Sequence, residues 1–211
     1  LMRLFAARRM PLCLAVVPAW LDRPGWSGMQ SFVPESSLWC WHQHGWDHRN
    51  HEPRGKKCEF GPSREGQAVA ADLDRGRRHL ASLMGDRFLP VFTPPWNRCS
   101  RATLYLLQQQ GFLAVSRSAA AEPPPPSGLP DLAVNVDLHT RRETDAAAGW
   151  GGLLHEIEQA AAGGRVGFMI HHQRMNGAAF AFLDMALAEM QAHPAIRCCT
   201  FRDLLPEITS C

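Results

Sequence analysis

Residues 38–52 read LWCWHQHGWDHRNHE. Leu38 to Gln43 is a short apolar run, the mark of a strand buried on both faces. Trp41 to Glu52 holds four of the ten histidines: His42, His44, His48 and His51. His44 and His48 stand four apart, with Gly45 directly after the first. Neutral imidazole is the commonest protein ligand for a transition metal. Two imidazoles at this spacing face one ion if the backbone between them makes a helical turn. The reading is that His44 and His48 bind a divalent metal, most simply zinc, at the C-terminal end of a strand. The competing reading is a solvated, His-rich loop. His42 and His51 are expected to support the site or face solvent.

Similar apolar runs recur on both sides of this stretch. Leu12 to Val17 closes at Pro18, and Phe88 to Phe92 leads into Thr93-Pro94-Pro95-Trp96-Asn97-Arg98. Phe112 to Val115, Leu132 to Val136, Val166 to Ile170 and Ile196 to Thr200 complete the set. Between them the spacing turns helical. Leu4 to Met10 stops before Pro11, and Ala68 to Leu83 carries Val69, Leu73, Leu80 and Leu83 on one face. Ser100 caps a helix reaching Gln110, and further helices are predicted over Leu153 to Ala162 and Ala178 to Gln191, with a short one beginning over Phe201 to Leu205. Residues 21–36, with Pro, Gly and Ser, read as a loop or a broken helix. Alternating strands and helices imply a parallel sheet with right-handed crossovers, either a barrel or a doubly wound sheet. No G-x-G-x-x-G and no P-loop supports a nucleotide site.

The bounds agree with one α/β domain over residues 1–211, since this length buries a substantial core. A formal charge of +2, with no basic run interleaved with aromatics, excludes a nucleic-acid binder. Seven scattered cysteines with no C-x-x-C pair exclude a disulfide framework and a Cys-rich zinc site, and point to a reducing compartment. The run LCLAVV after Arg8-Arg9 is short, framed by Pro11 and Pro18, and followed by no cleavage site, so it is not read as a signal peptide. No stretch is long and apolar enough to span a membrane. A cytoplasmic protein is expected. The Pro-rich segment 119–130 (AAEPPPPSGLP from Ala120) favours extended chain and reads as a surface loop.

Taken at their C-terminal ends, the strands deliver His44, then Pro95-Trp96-Asn97, then Asp137, then His171-His172. In a parallel α/β barrel these ends share one face, where active sites sit. A metal such as zinc lowers the pKa of bound water to around 7. His171 would protonate a leaving group as general acid, with His172 the competing candidate. Backbone N–H groups around Trp96 would hold an oxyanion. Asp137 reads equally as a turn residue, and Trp96 either as a pocket wall or as core.

These motifs resemble the polysaccharide deacetylases, metal-dependent carbohydrate esterases with a distorted (β/α) barrel. His44-Gly45-Trp46-Asp47-His48 is similar to that family's H-x-x-x-H metal motif. Phe92 to Asn97 (FTPPWN) is similar to F-R-x-P-Y-G, and Ile170-His171 to the late Leu-His motif carrying the catalytic acid. AVVPAW, HQHGWDHRNH, GKKCEFGPSR, LPVFTPPWNR and Ile170-His171-His172 together look like a bacterial subgroup described only as polysaccharide deacetylase-like. The resemblance runs over most of the chain. It implies a metal-dependent removal of an acyl group from an N-acylated sugar or polysaccharide. Two departures stand out. The family opens on a strand ending in Asp-Asp, which supplies the third ligand and the base; this chain shows no such pair, so a barrel lacking its first strand is expected. Thr93 stands in place of the family arginine. The alternatives are a degenerate barrel that binds metal or sugar without turnover, and a metal-dependent amidohydrolase acting on an N-acyl small molecule.

Overall fold

The computed structural model describes residues 1–33, 36–138 and 145–209. Its centre is a four-stranded parallel sheet of β1 (Leu12–Val16), β2 (Trp39–His44), β3 (Phe88–Thr93) and β4 (Ala114–Val115), in that order. A second, two-stranded parallel sheet pairs β5 (Val136–Asp137) with β6 (Phe168–Met169). Between the two sheets the chain continues the same pattern in single parallel bridges, Val115 to Asp131 and Ser118 to Val134. Among the described residues no ladder joins β6 back to β1. The α/β architecture with parallel strands is the one the sequence predicts.

Strands buried on both faces need cover on both. On one face Leu12, Trp39, Trp41 and Phe88 pack against α1 (Met2–Ala7), α2 (Arg23–Gln30), α3 (Gly66–Met84) and α6 (Gly177–Ala192). Further along, Phe92 and Val115 meet Leu73 of α3 and Leu104 and Leu107 of α4 (Arg101–Gln109). The opposite face is lined by Cys40, Leu89, Val91 and Ala114 and covered by Leu205, Phe201 and Leu204 of α7 (Phe201–Thr209). The remaining helix, α5 (Ala146–Ala162), sets Leu153 and Ala160 on Val136. Among the described residues no helix is long and apolar enough to cross a membrane.

Three local readings change. Residues 21–36 contain the helix α2, because Asp22 caps Gly25 N–H at 2.8 Å and Pro24 sits in the first turn, where a proline costs nothing. Buried Trp26, edge-on to Trp41 at 4.9 Å, anchors it. Ile196 to Thr200 is not a strand. Ile196 is 46% exposed, and the Asp203 carboxylate accepts both the N–H and the hydroxyl of Thr200, starting α7 there. Leu132 to Val136 forms single bridges and only then the short β5.

The bridges between the sheets are held by a buried ion pair. Arg117 is 1% exposed, and its Nε and Nη2 donate to one oxygen of Asp131 at 2.9 and 2.7 Å. Its Nη1 donates to the carbonyl of Pro123, pinning the Pro-rich loop. Removing Arg117 leaves the half-buried Asp131 without its counterion and the Pro123 carbonyl without its donor. Arg117→Ala is expected to cost about 3–5 kcal/mol of unfolding free energy, read by urea denaturation. A loss under about 1 kcal/mol would show that solvent already screens the pair.

Candidate active site

The site begins with strand register. β2 and β3 are parallel, Trp41 lies opposite Phe88, but Gln43 lies opposite Phe92 and His44 opposite Thr93. The register slips beside Pro90, which has no N–H to give the ladder. The slip sets the ends of both strands level. His44 Nδ1–H then donates to the Thr93 carbonyl at 2.9 Å. That bond fixes the tautomer and leaves Nε2 with its lone pair. Burial pushes the His44 pKa down to about 4; the Thr93 bond opposes the shift, and the charges of His48 and His171 add to it. One turn of strand earlier, His42 Nε2 meets Thr93 Oγ1 at 2.9 Å, and burial pushes its pKa to about 3. Its ring lies against Phe201 at 5.1 Å, so His42 is packed beneath the site rather than in solvent.

The spacing of His44 and His48 predicts a helical turn between them; the chain makes a tight loop instead. Gly45 has φ 65° and His48 φ 57°, both left-handed. The loop brings the two imidazole centroids to 5.1 Å. Its amides find a partner in Glu59, whose Oε1 accepts from Trp46 N–H at 2.8 Å and Asp47 N–H at 2.9 Å. Glu59 is fully buried, and a Cβ on Gly45 would stand 2.1 Å from its Oε2 and 2.7 Å from Pro95 Cγ. The position requires glycine both for its φ and for this close approach. Burial raises the Glu59 pKa to about 7, against the two amides that lower it.

Beyond β3, Trp96 and Asn97 have φ 56° and 58°, again left-handed for non-glycine residues. Backbone strain of this kind collects at functional sites. The Trp96 ring lies 4.5 Å from the His48 ring, so it walls the site. Pro95 is buried beneath Gly45. The Asn97 amide donates to the Pro94 carbonyl at 3.0 Å, and its side chain donates to Met169 Sδ at 3.4 Å, tying this loop to β6. Next to β6, His171 Nδ1 stands 3.9 Å from Asp137 Oδ1. His171 is 38% exposed, and His172 is exposed on the 3-10 turn His172–Arg174.

The structure thus gathers His44, His48, Trp96, Asn97, Asp137 and His171 at the C-terminal ends of β2, β3, β5 and β6. Two neutral imidazoles, one with its tautomer fixed, fit two ligand positions of a divalent metal. Among the described residues no group of three His, Cys, Asp or Glu side chains converges on one point.

Comparison with solved structures bears on the fold. The chain superposes over 99% of its length on 75% of a proposed polysaccharide deacetylase from Mycobacterium smegmatis, with a TM-score of 0.73 and 16% identity. The chain has the polysaccharide deacetylase fold. A second similar structure, IcaB from Ammonifex degensii, matches 63% of this chain and 60% of its own at a TM-score of 0.50 and 22% identity. No family model matches the sequence, and no curated protein matches it. Within this fold the gathered residues lie where parallel strands end.

Glu59 receives no role from the sequence, although it lies in GKKCEFG, a polar loop within one of the stretches that carry the resemblance. The one signal is a carboxylate flanked by Cys58 and Phe60, both of which are buried. Because the fold raises its pKa, its contribution to stability is complete below the ordinary carboxylate range and fades as pH rises through about 7. The metal-free protein should therefore lose roughly 3 kcal/mol between about pH 5 and about pH 8 beyond any loss in Glu59→Gln. Urea denaturation at the two pH values reads this, and parallel curves for both proteins would contradict it.

Proposed function

We propose that this protein is a metal-dependent hydrolase that removes an acyl group, most simply acetyl, from an N-acylated sugar or polysaccharide. The observation that supports it best is the meeting, in a polysaccharide deacetylase fold, of the oriented His44 and His48 with the Asp137–His171 pair. His44 and His48 would hold the metal, most simply zinc. The chemistry such a metal supplies when bound is Lewis-acid polarisation and the acidification of water. The protein's own groups do the rest. His171 stands at the mouth with Nδ1 towards Asp137, which leaves Nε2 to hand a proton to the departing amine. Asp137, 3.9 Å away and not hydrogen-bonded to the ring, would balance its charge while it is protonated. Of the two loop amides after Pro95, that of Asn97 is already bonded, so the Trp96 N–H is the donor for the developing oxyanion. The indole of Trp96 shields one side of His48.

A second reading, metal or sugar binding without turnover, draws support from one observation: no third acidic or imidazole ligand joins the pair among the described residues. Acetate release separates the readings. With zinc or cobalt added, the wild-type protein is expected to release acetate from an N-acetylglucosamine oligomer. His171→Ala should lower kcat by about 10²–10⁴-fold with metal content unchanged. His44→Ala should lose the metal itself. Acetate release that survives His44→Ala, or a wild type inert on every N-acetylated glycan and N-acetyl sugar, would overturn the hydrolase reading.

A further inference from the structure

The proposed chemistry uses His48 and Trp96 but leaves a third ring at the same mouth unexplained. Trp20 closes the short 3-10 turn Pro18–Trp20 after β1. It is 65% exposed, more than any other large hydrophobic side chain among the described residues. Its ring centroid lies 5.8 Å from that of His48, while Trp96 lies 4.5 Å from the same imidazole. The indole therefore does not project at random from the surface. The Ala19 N–H donates to the Trp46 carbonyl at 3.0 Å, tying this turn to the loop that carries His48. Pro18 is buried and reaches Gly76 of α3, so the turn is anchored below as well. The result is an apolar plate, held at a fixed place beside the reacting centre and left open to water.

Leaving an indole in water forfeits its burial energy. Beside a site that handles acyl groups, a flat aromatic face suits a ligand with a flat apolar face and polar edges. A pyranose ring has that form: its axial C–H groups make one apolar face, and its hydroxyls ring the rim. We infer that Trp20 is a sugar-stacking platform, binding the pyranose next to or bearing the acyl group and setting the preference for carbohydrate over other acyl compounds. This rests on the reading of the site as an N-acyl sugar hydrolase. Trp20 touches no atom that reacts, so its effect falls on binding. An acyl compound without a sugar ring gains nothing from it.

The experiment compares wild type, Trp20→Ala and Trp20→Phe, all with zinc, on the N-acetylglucosamine trimer and on vinyl acetate, an activated acetyl ester with no ring. Binding of the trimer is also measured calorimetrically on metal-free protein, which needs no turnover. Trp20→Ala is expected to weaken trimer binding and raise KM by about five- to tenfold with kcat nearly unchanged. Trp20→Phe should recover most of the loss, because a phenyl ring still offers a face. Cleavage of vinyl acetate, which has no ring to stack, should be the same in all three. An exposed position makes unfolding a poor explanation, and equal thermal midpoints check that directly. Trimer binding and KM unchanged in Trp20→Ala, in a wild type that does bind and cleave the trimer, would overturn the platform and leave the hydrolase reading standing. Equal losses on the sugar and on vinyl acetate would also overturn it, since the residue would then act on the site as a whole. A wild type that neither binds nor cleaves the trimer would overturn both.

Discussion

Everything at the candidate site depends on how β2 meets β3. A parallel ladder in regular register would place His44 short of the end of β3. Pro90 cannot donate to the ladder, the register slips beside it, and the two strands finish together at His44 and Thr93. From that point one residue serves two histidines. The Thr93 carbonyl accepts from His44, and the Thr93 hydroxyl meets His42. A backbone acceptor is a robust choice for orienting a ligand histidine, since side-chain substitution at Thr93 leaves it in place. The Thr93 hydroxyl serves a buried imidazole.

The second constraint is the buried carboxyl of Glu59. The first amides after β2 need an acceptor whatever turn follows, since even a helix leaves its first N–H groups unpaired. The tight loop actually formed leaves Trp46 and Asp47 N–H pointing inward, and Glu59 Oε1 receives both. Each such amide would cost about 1–3 kcal/mol if left without an acceptor. The arrangement accounts for the absence of a side chain at Gly45 and for the left-handed φ of His48, because the loop must curl tightly around the carboxyl. The strained pair Trp96 and Asn97 closes over it from β3, and the Asn97 contact with Met169 carries the connection across to β6. His44 and His48 are thus linked to the Asp137–His171 pair through a short series of named contacts, although about ninety residues or more separate them in sequence.

Much of the fold was legible because it rests on local pattern. Apolar runs such as Leu12 to Val17 and Phe88 to Phe92 identify strands, and the helical spacing of Val69, Leu73 and Leu80, four and then seven residues apart, identifies α3. The failures share a cause, which is that they turn on partners distant in sequence. Ile196 to Thr200 has a strand's composition but finds no neighbouring strand, and Asp203 turns it into a helix start instead. The helix α2 is hidden by Pro24 and the glycines, and exists because Trp26 has Trp41 to pack on. At the site, the histidines and the Pro95-Trp96-Asn97 turn announce themselves by type and by their place at strand ends. Glu59, the Arg117–Asp131 pair and the platform at Trp20 do not, since nothing local separates a buried carboxylate, a buried arginine or an exposed indole from their ordinary surface or core counterparts.

We propose that His44, at the end of β2, and His48, in the loop after it, form a metal site. The most direct measurement is an anomalous difference map at the zinc absorption edge, from crystals of the protein grown with zinc. The expected result is a single strong peak within bonding distance of His44 Nε2 and of His48. A map with no peak there, or with zinc held only by other residues, would contradict the claim and leave a fold shared with the polysaccharide deacetylases but without their chemistry.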